Sequence, residues 1–130
     1  MSEQPHPAPE PTLAASAEEP VVLLLTTFPD REQAEAAARS WVEAGLAACV
    51  HLAPAGVSVY RWQGAIETQG EVAVTVKTLA SRLETLTEAL QRAHPYELPE
   101  VLLVSPAGGS GDYLDWVRQA CRPDSPAGPS

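Results

Sequence analysis

Asparagine is missing from this chain altogether, and cysteine occurs only at Cys49 and Cys121. Without asparagine there is no Arg/Asn pair of the kind an acylphosphatase uses. Two cysteines with no C-x-x-C between them exclude a thioredoxin-type redox centre and the usual small copper-chaperone motif. They also argue against a disulfide framework and for a reducing, cytosolic compartment. No G-x-S-x-G elbow and no H-E-x-x-H pair occurs. Of the three histidines one is His6, near the N-terminus, so a histidine-based triad is poorly supplied. No catalytic class is therefore expected.

Positive charge is equally scarce. Eight Lys and Arg stand against seventeen Asp and Glu, for a formal net charge of -9 at pH 7. The basic side chains are scattered rather than clustered, so a phosphate backbone would be repelled and nucleic acid is not an expected partner. No apolar run approaches the roughly 18 residues of a membrane span. The N-terminus lacks a basic segment followed by an apolar one, so a secretory signal is not expected either.

Proline is what the chain has in excess, thirteen in all, and most lie towards the two ends. Residues 1–20 and 122–130 combine proline with acidic and small residues and show no apolar period. Such composition cannot bury enough surface to offset ordering entropy, so both ends are expected to be mobile. Residues 21–121 are then a single domain of ordinary size.

Within that domain Val21–Thr27 is an apolar run of strand length. Asp30 and Gln33 form a capping-box pair, and Ala34, Ala37, Ala38, Trp41 and Val42 make one helical stripe stopped at Gly45. Leu46–Ala53 and Val57–Trp62 read as strands, Gln63-Gly64 as a turn, and Val72–Val76 as a further strand. Together Leu46 to Thr78 suggests one long bent hairpin with irregularities at Pro54–Gly56 and near Gly70. Ser81 with Glu84 looks like a second capping box, before a helix carrying Leu83, Leu86, Leu90 and Ala93 and ending at Pro95. Val101–Val104 is the last strand. The Gly108–Gly111 stretch is a connector without the Lys-Ser/Thr ending of a phosphate loop, and Asp112–Cys121 a final helix.

The order βαββαβ plus a terminal helix predicts an α+β, ferredoxin-like split-βαβ sandwich on an antiparallel sheet. Several strands are apolar at successive positions, hence on both faces. Two main helices cover only one face, so the other calls for a partner surface, most economically copies of the same chain.

Few residues offer chemistry. Cys49 and His51 share a strand face about 7 Å apart at Cα, a spacing from which both could reach one soft cation. The alternative is a buried small thiol beside a structural imidazole. His94 stands at a helix C-terminus, where a cationic ring would be stabilised, or near Glu97 as a ligand or proton carrier. Tyr60, Trp62 and Tyr96, beside Arg61, Lys77 and Glu97, suit either a subunit contact or a ligand cleft.

Six segments then stand in the order and spacing of one family. Leu25–Asp30, Leu46–His51, Val59–Gly64, Val76–Thr78, His94–Glu100 and Tyr113–Trp116 resemble the CutA proteins over essentially all of Val21–Cys121. The resemblance implies a tight homotrimer similar in architecture to PII signalling proteins, in a cytoplasmic protein linked to tolerance of divalent cations, copper above all. It places Tyr60, Arg61 and Trp62 at or near subunit contacts. Copper ligands in that family come from a Cys late in the first strand and two His before the Pro-Tyr pair. The matching positions here are Thr26, Ala93 and His94, which implies weak or indirect copper binding. A PII-like sensor, with a small anion or metabolite near Lys77, Tyr96 and Glu97, is the alternative.

Overall fold

The computed structural model describes residues 18–122. The expected mobile ends fall largely outside that range, at 1–17 and 123–130. Glu18–Pro20, counted with the N-terminal end, are instead held. The Glu18 carboxylate pairs with Arg118 at 2.6 Å, and Arg118 Nε donates to the Glu19 carbonyl. Pro20 accepts from the Ala80 amide and Glu19 from that of Ser81.

The elements are β1 (Val21–Phe28), α1 (Arg31–Glu43), β2 (Cys49–Leu52), β3 (Gly56–Trp62), β4 (Ala65–Leu79), α2 (Leu83–Ala93), β5 (Leu102–Val104) and α3 (Gly111–Ala120), with a short 3₁₀ turn at Ala80–Arg82. All strand pairs are antiparallel, in the order β2-β4-β1-β5, with β3 also on β4. Taking β2 and β3 as one interrupted strand, this is the ferredoxin-like sandwich the pattern predicts.

The ends of α1 follow from local chemistry. Asp30 Oδ1 accepts the Gln33 amide at 2.8 Å, and Gln33 Nε2 donates to Oδ2 at 2.7 Å. These bonds, the backbone one foremost, hold the Asp30 carboxyl below its ordinary pKa. At the other end Gly45 takes φ 74°, and Leu46 N–H reaches the Trp41 carbonyl while Gly45 N–H reaches Val42. That is the Schellman arrangement, which requires a left-handed residue where glycine stands. The second expected cap fails. The 3₁₀ turn displaces the start of α2 to Leu83, Arg82 is its N-cap without a side-chain bond, and Ser81 is held by Glu19 instead. Ser110 caps α3 by accepting the Tyr113 amide, so the glycine-rich connector is a helix start.

β4 is the sheet's axis. Its second half pairs with β1 from Phe28↔Val72 to Val21↔Leu79 and with β2 from Leu52↔Val74 to Cys49↔Lys77. Its first half pairs only with β3, from Gly56↔Glu71 to Trp62↔Ala65, and projects as a two-stranded ribbon. The Ala53 amide still reaches the Ala73 carbonyl. Two residues, Pro54 and Ala55, therefore face Val72 alone, which is a one-residue bulge. The irregularity expected near Gly70 is absent, since Gly70 pairs with Val57 in unbroken register. The ribbon turns at Gln63 and Gly64, both at positive φ, the geometry of a tight hairpin.

Alternation on β1 and β4 sends Leu24, Phe28, Val72, Val74 and Val76 beneath the helices. There they meet Ala34, Ala37 and Trp41 of α1 and Leu86 and Leu90 of α2. α3 packs at one end, with Val117 and Cys121 against Ala48 and Leu79; burial pushes the Cys121 thiol pKa up. On the opposite sheet face, β5 and β1 present Leu102 beside Leu25 and Val104 beside Leu23. Leu102 is 56% exposed and Val104 41%. Among the described residues of one chain nothing covers this apolar half-face.

Thr26 also points into the core, and its hydroxyl finds no partner among the described residues. A buried unmatched hydroxyl costs roughly 1–3 kcal/mol in desolvation. Thr26→Val, which keeps the shape, is expected to raise unfolding stability by about 1 kcal/mol; a loss in denaturant titration would contradict this account.

Candidate functional site

A cleft opens between the β3–β4 ribbon and the segment 95–102, with a volume near 990 Å³. Its second wall exists because of one imidazole. His94 leaves α2 with extended backbone (φ −85°, ψ 137°), as the following proline requires. Its ring is buried between Phe28 and Tyr96, at centroid distances of 4.5 and 4.7 Å. Nδ1 accepts the Tyr96 amide at 3.0 Å, so the ring proton sits on Nε2, which meets the Thr27 carbonyl at 2.6 Å. The segment after α2 is thereby fixed to the end of β1.

The ribbon supplies the other wall. Bulge and pleat together put Ser58, Tyr60, Gln69 and Glu71 on one face, where they join Tyr96. Tyr60 OH donates to Gln69 Oε1 (2.9 Å), Gln69 Nε2 to Tyr96 OH (2.8 Å), and Tyr96 OH to Glu71 Oε2 (2.9 Å). Ser58 Oγ donates to the other oxygen of Glu71 at 2.7 Å. Each link runs towards the carboxylate, so each donor is polarised by the next. Burial, then the bond to Glu71 and its charge, push the Tyr96 hydroxyl pKa up to about 12.

The structure thus gathers Tyr60, Trp62, Tyr96 and Glu97 at one cleft. Arg61 pairs with Ile66 on the ribbon's reverse face and does not line it. Lys77 does not line it either: it stands on the same face of β4 as Glu71 but six residues along the strand, with its Nζ 5.5 Å from the Tyr113 ring centroid. Cys49 and His51 do share the open sheet face, opposite Lys77 and Thr75. A lysine across from the thiol disfavours a cation there. Sequence reading missed Ser58, Gln69 and Glu71. The available signal was polar spacing of two on both arms of a hairpin.

The expected capping role of His94 is corrected by these contacts. Its backbone amide reaches the Leu90 carbonyl, but its ring turns inward to Thr27 and Tyr96. Nor does the inherited copper set fit. His94 has both ring nitrogens engaged, Thr26 is buried in the core, and exposed Ala93 offers no donor atom. Among the described residues no group of three or more His, Cys, Asp or Glu is placed to hold a metal ion.

The raised Tyr96 pKa fixes the sign of a pH effect. An unfolded tyrosine ionises near pH 10, while the folded one keeps its proton to about 12. The associated stability is whole below about pH 10 and is lost as pH rises from there through 12. Tyr96→Phe is expected to lower stability at neutral pH but to lose less of it over that alkaline window than the parent. Parallel pH dependences of the two proteins in urea titrations would refute the link.

The sequence profile of the CutA1 divalent ion tolerance protein family matches residues 22–120. A divalent-cation tolerance protein CutA from Pectobacterium atrosepticum is 41% identical over 101 residues, covering 78% of this chain and 92% of that protein. The chloroplastic protein CutA of Arabidopsis thaliana is 39% identical over 103 residues, covering 79% of this chain but only 57% of the longer relative. The solved structure of CutA from Synechococcus elongatus is 42% identical, covers 81% of this chain and 93% of its own, and superposes with a TM-score of 0.76. The chain belongs to the CutA1 divalent ion tolerance protein family.

Proposed function

We propose that this protein acts in the cellular response to divalent cations, copper among them, as a cytoplasmic homotrimer without catalytic activity, and that its contact with metal is weak or indirect. Family membership across nearly the whole described domain supports the tolerance role. The observation that carries the indirect reading is the bonding of His94. An imidazole with one nitrogen on a backbone amide and the other on a backbone carbonyl has no lone pair to give.

Assembly is supported by the uncovered half-face. Leu23, Leu25, Leu102 and Val104 lie in two adjacent cross-strand rows, and β5 is an edge strand of three residues whose outer side pairs with no strand among the described residues. Such an edge is a template for pairing, and copies of the same chain are the economical cover. A PII-like anion sensor is less well supported, because Glu71, Glu97 and Glu100 line the cleft and, among the described residues of one chain, no Lys or Arg does.

Light scattering at micromolar concentration is expected to give three times the chain mass, and Leu102→Glu with Val104→Glu to reduce it to one. A monomeric parent would end the assembly proposal. In calorimetric titration with Cu(II), the parent is expected to bind no tighter than about micromolar, with His94→Gln within about twofold of it, as one imidazole cannot hold copper firmly. A sharp loss of copper affinity in His94→Gln alone would instead make His94 a ligand.

A further inference from the structure

We propose that Glu18–Pro20 form a latch holding α3 on the body, and that α3 opens as a unit when the latch is released, uncovering the Cys121 thiol. This inference does not depend on the metal-tolerance role. The latch is built from polar contacts between parts of the chain far apart in sequence. Arg118 on α3 donates from Nε to the Glu19 carbonyl at 3.0 Å and from Nη1 to the Glu18 carboxylate at 2.6 Å. The same short segment also holds the turn before α2. The Ser81 amide donates to the Glu19 carboxylate, and the Ala80 amide to the Pro20 carbonyl. Arg82, in that turn, reaches the C-terminal end of α3, its Nε donating to the Cys121 carbonyl at 2.7 Å. Glu18–Pro20 are thus bonded both to α3 and to the approach to α2.

Apolar packing gives α3 only a modest hold. Val117 is the one buried residue within the helix. With Cys121, Ala48 and Leu79 it makes a small core, separate from the one beneath α1 and α2. The larger core, which includes Leu24, Val74, Leu86 and Leu90, takes no residue from α3. An element with few buried apolar contacts opens locally at a lower free energy than the whole domain. The polar latch therefore decides how often α3 lifts. Asp115 also accepts from Arg118 Nη1, at 2.8 Å, but it belongs to α3 and so aims the guanidinium without fastening the helix. The Glu18 and Asp115 carboxylates are half-exposed, so dissolved salt screens their pairing with Arg118.

Cys121 reports the opening. It follows the last turn of α3, is fully buried, and has its Sγ 4.0 Å from the Thr78 hydroxyl. Thr78 Oγ1 donates to the Leu46 carbonyl at 2.7 Å, so the thiol rests against a group fixed on β4. Burial within one chain only deepens when copies assemble, so the enclosure holds in the proposed trimer too. Burial also raises the thiol pKa, which keeps it unreactive while α3 is seated. Arg82 and Glu19 both stand near enough to act on its charge, which places the thiol beside the latch. The chain before Glu18 runs straight into these contacts. Binding or cleavage in that N-terminal segment would therefore be felt at the opposite end of the chain.

The test is alkylation of the full-length assembled protein by iodoacetamide without denaturant, on a Cys49→Ser background so that one thiol remains. Cys121 is expected to react at least about a hundredfold more slowly than in the urea-unfolded chain. Arg118→Met removes the latch bonds but keeps an apolar stem, and is expected to speed labelling about tenfold. Glu19→Ala frees the Ser81 amide and is expected to speed it several-fold. Added salt is expected to speed the parent but not Arg118→Met, since only the parent has pairs to screen. Val74→Ala weakens the main core without touching the latch, and is expected to keep the rate within about twofold of the parent. Unchanged labelling in both latch variants, or the same salt response with and without Arg118, would overturn the proposal. So would a Val74→Ala rate raised as far as theirs, because global unfolding would then be the route to the thiol.

Discussion

The length of β4 is the constraint from which the rest of the molecule follows. One unbroken strand of fifteen residues serves two environments. From Val72 onward it is the centre of a covered sheet, with β1 and β2 on its sides and two helices beneath. Before Val72 it is one arm of an exposed ribbon. The bulge at Pro54–Ala55 makes the two uses compatible, because it lets the partner segment change register where β4 leaves the core. Without the extra residue, Tyr60 and Ser58 would face away from Glu71 and Gln69, and the polar chain joining ribbon to body could not form.

A second fastening makes the cleft a cleft. The segment after α2 has no secondary structure of its own between Ala93 and Leu102. Its position comes from the His94 ring, wedged between Phe28 and Tyr96 and bonded at both nitrogens. The same ring sets Tyr96 against the ribbon. Burial, a tautomer fixed by two backbone groups and a tyrosine with a raised pKa often mark a catalytic centre. Here they are explained by scaffolding: each holds the segment after α2 against β1 or against the ribbon.

How much of this was legible in the residues depended on the range of the interactions. The α1 boundaries were readable because Asp30, Gln33 and Gly45 act on neighbours a few positions away. The sandwich and its uncovered face were readable because Leu23, Leu25, Leu102 and Val104 are apolar where a one-faced sheet would be polar. Much of β4 was not. Residues 65–71 are nearly all exposed, so no alternation of burial marks them as strand. Ser81 misled because Glu19, sixty-two positions away, takes over its amide. His94 misled in the same way. A helix-end histidine reads as a local cap, whereas its acceptor, the Thr27 carbonyl, lies sixty-seven positions earlier. Tyr60, Trp62, Tyr96 and Glu97 were recognisable as a group by their chemistry, but the residues that hold them, Gln69 and Glu71, carried no signal beyond polar spacing.

The cleft's two walls differ in stiffness. The segment 95–102 is riveted to the hydrophobic body through an imidazole, while the ribbon is a cantilever of two strands rooted near Gly56 and Glu71. A lone two-stranded ribbon is soft in water, so thermal bending of this arm is the easiest deformation open to the domain. The hydrogen bonds from Gln69 to Tyr96 and from Tyr96 to Glu71 act as a clasp between arm and body. Within one chain the seat of the arm on the body thus rests on a tyrosine hydroxyl rather than on the packing of the core.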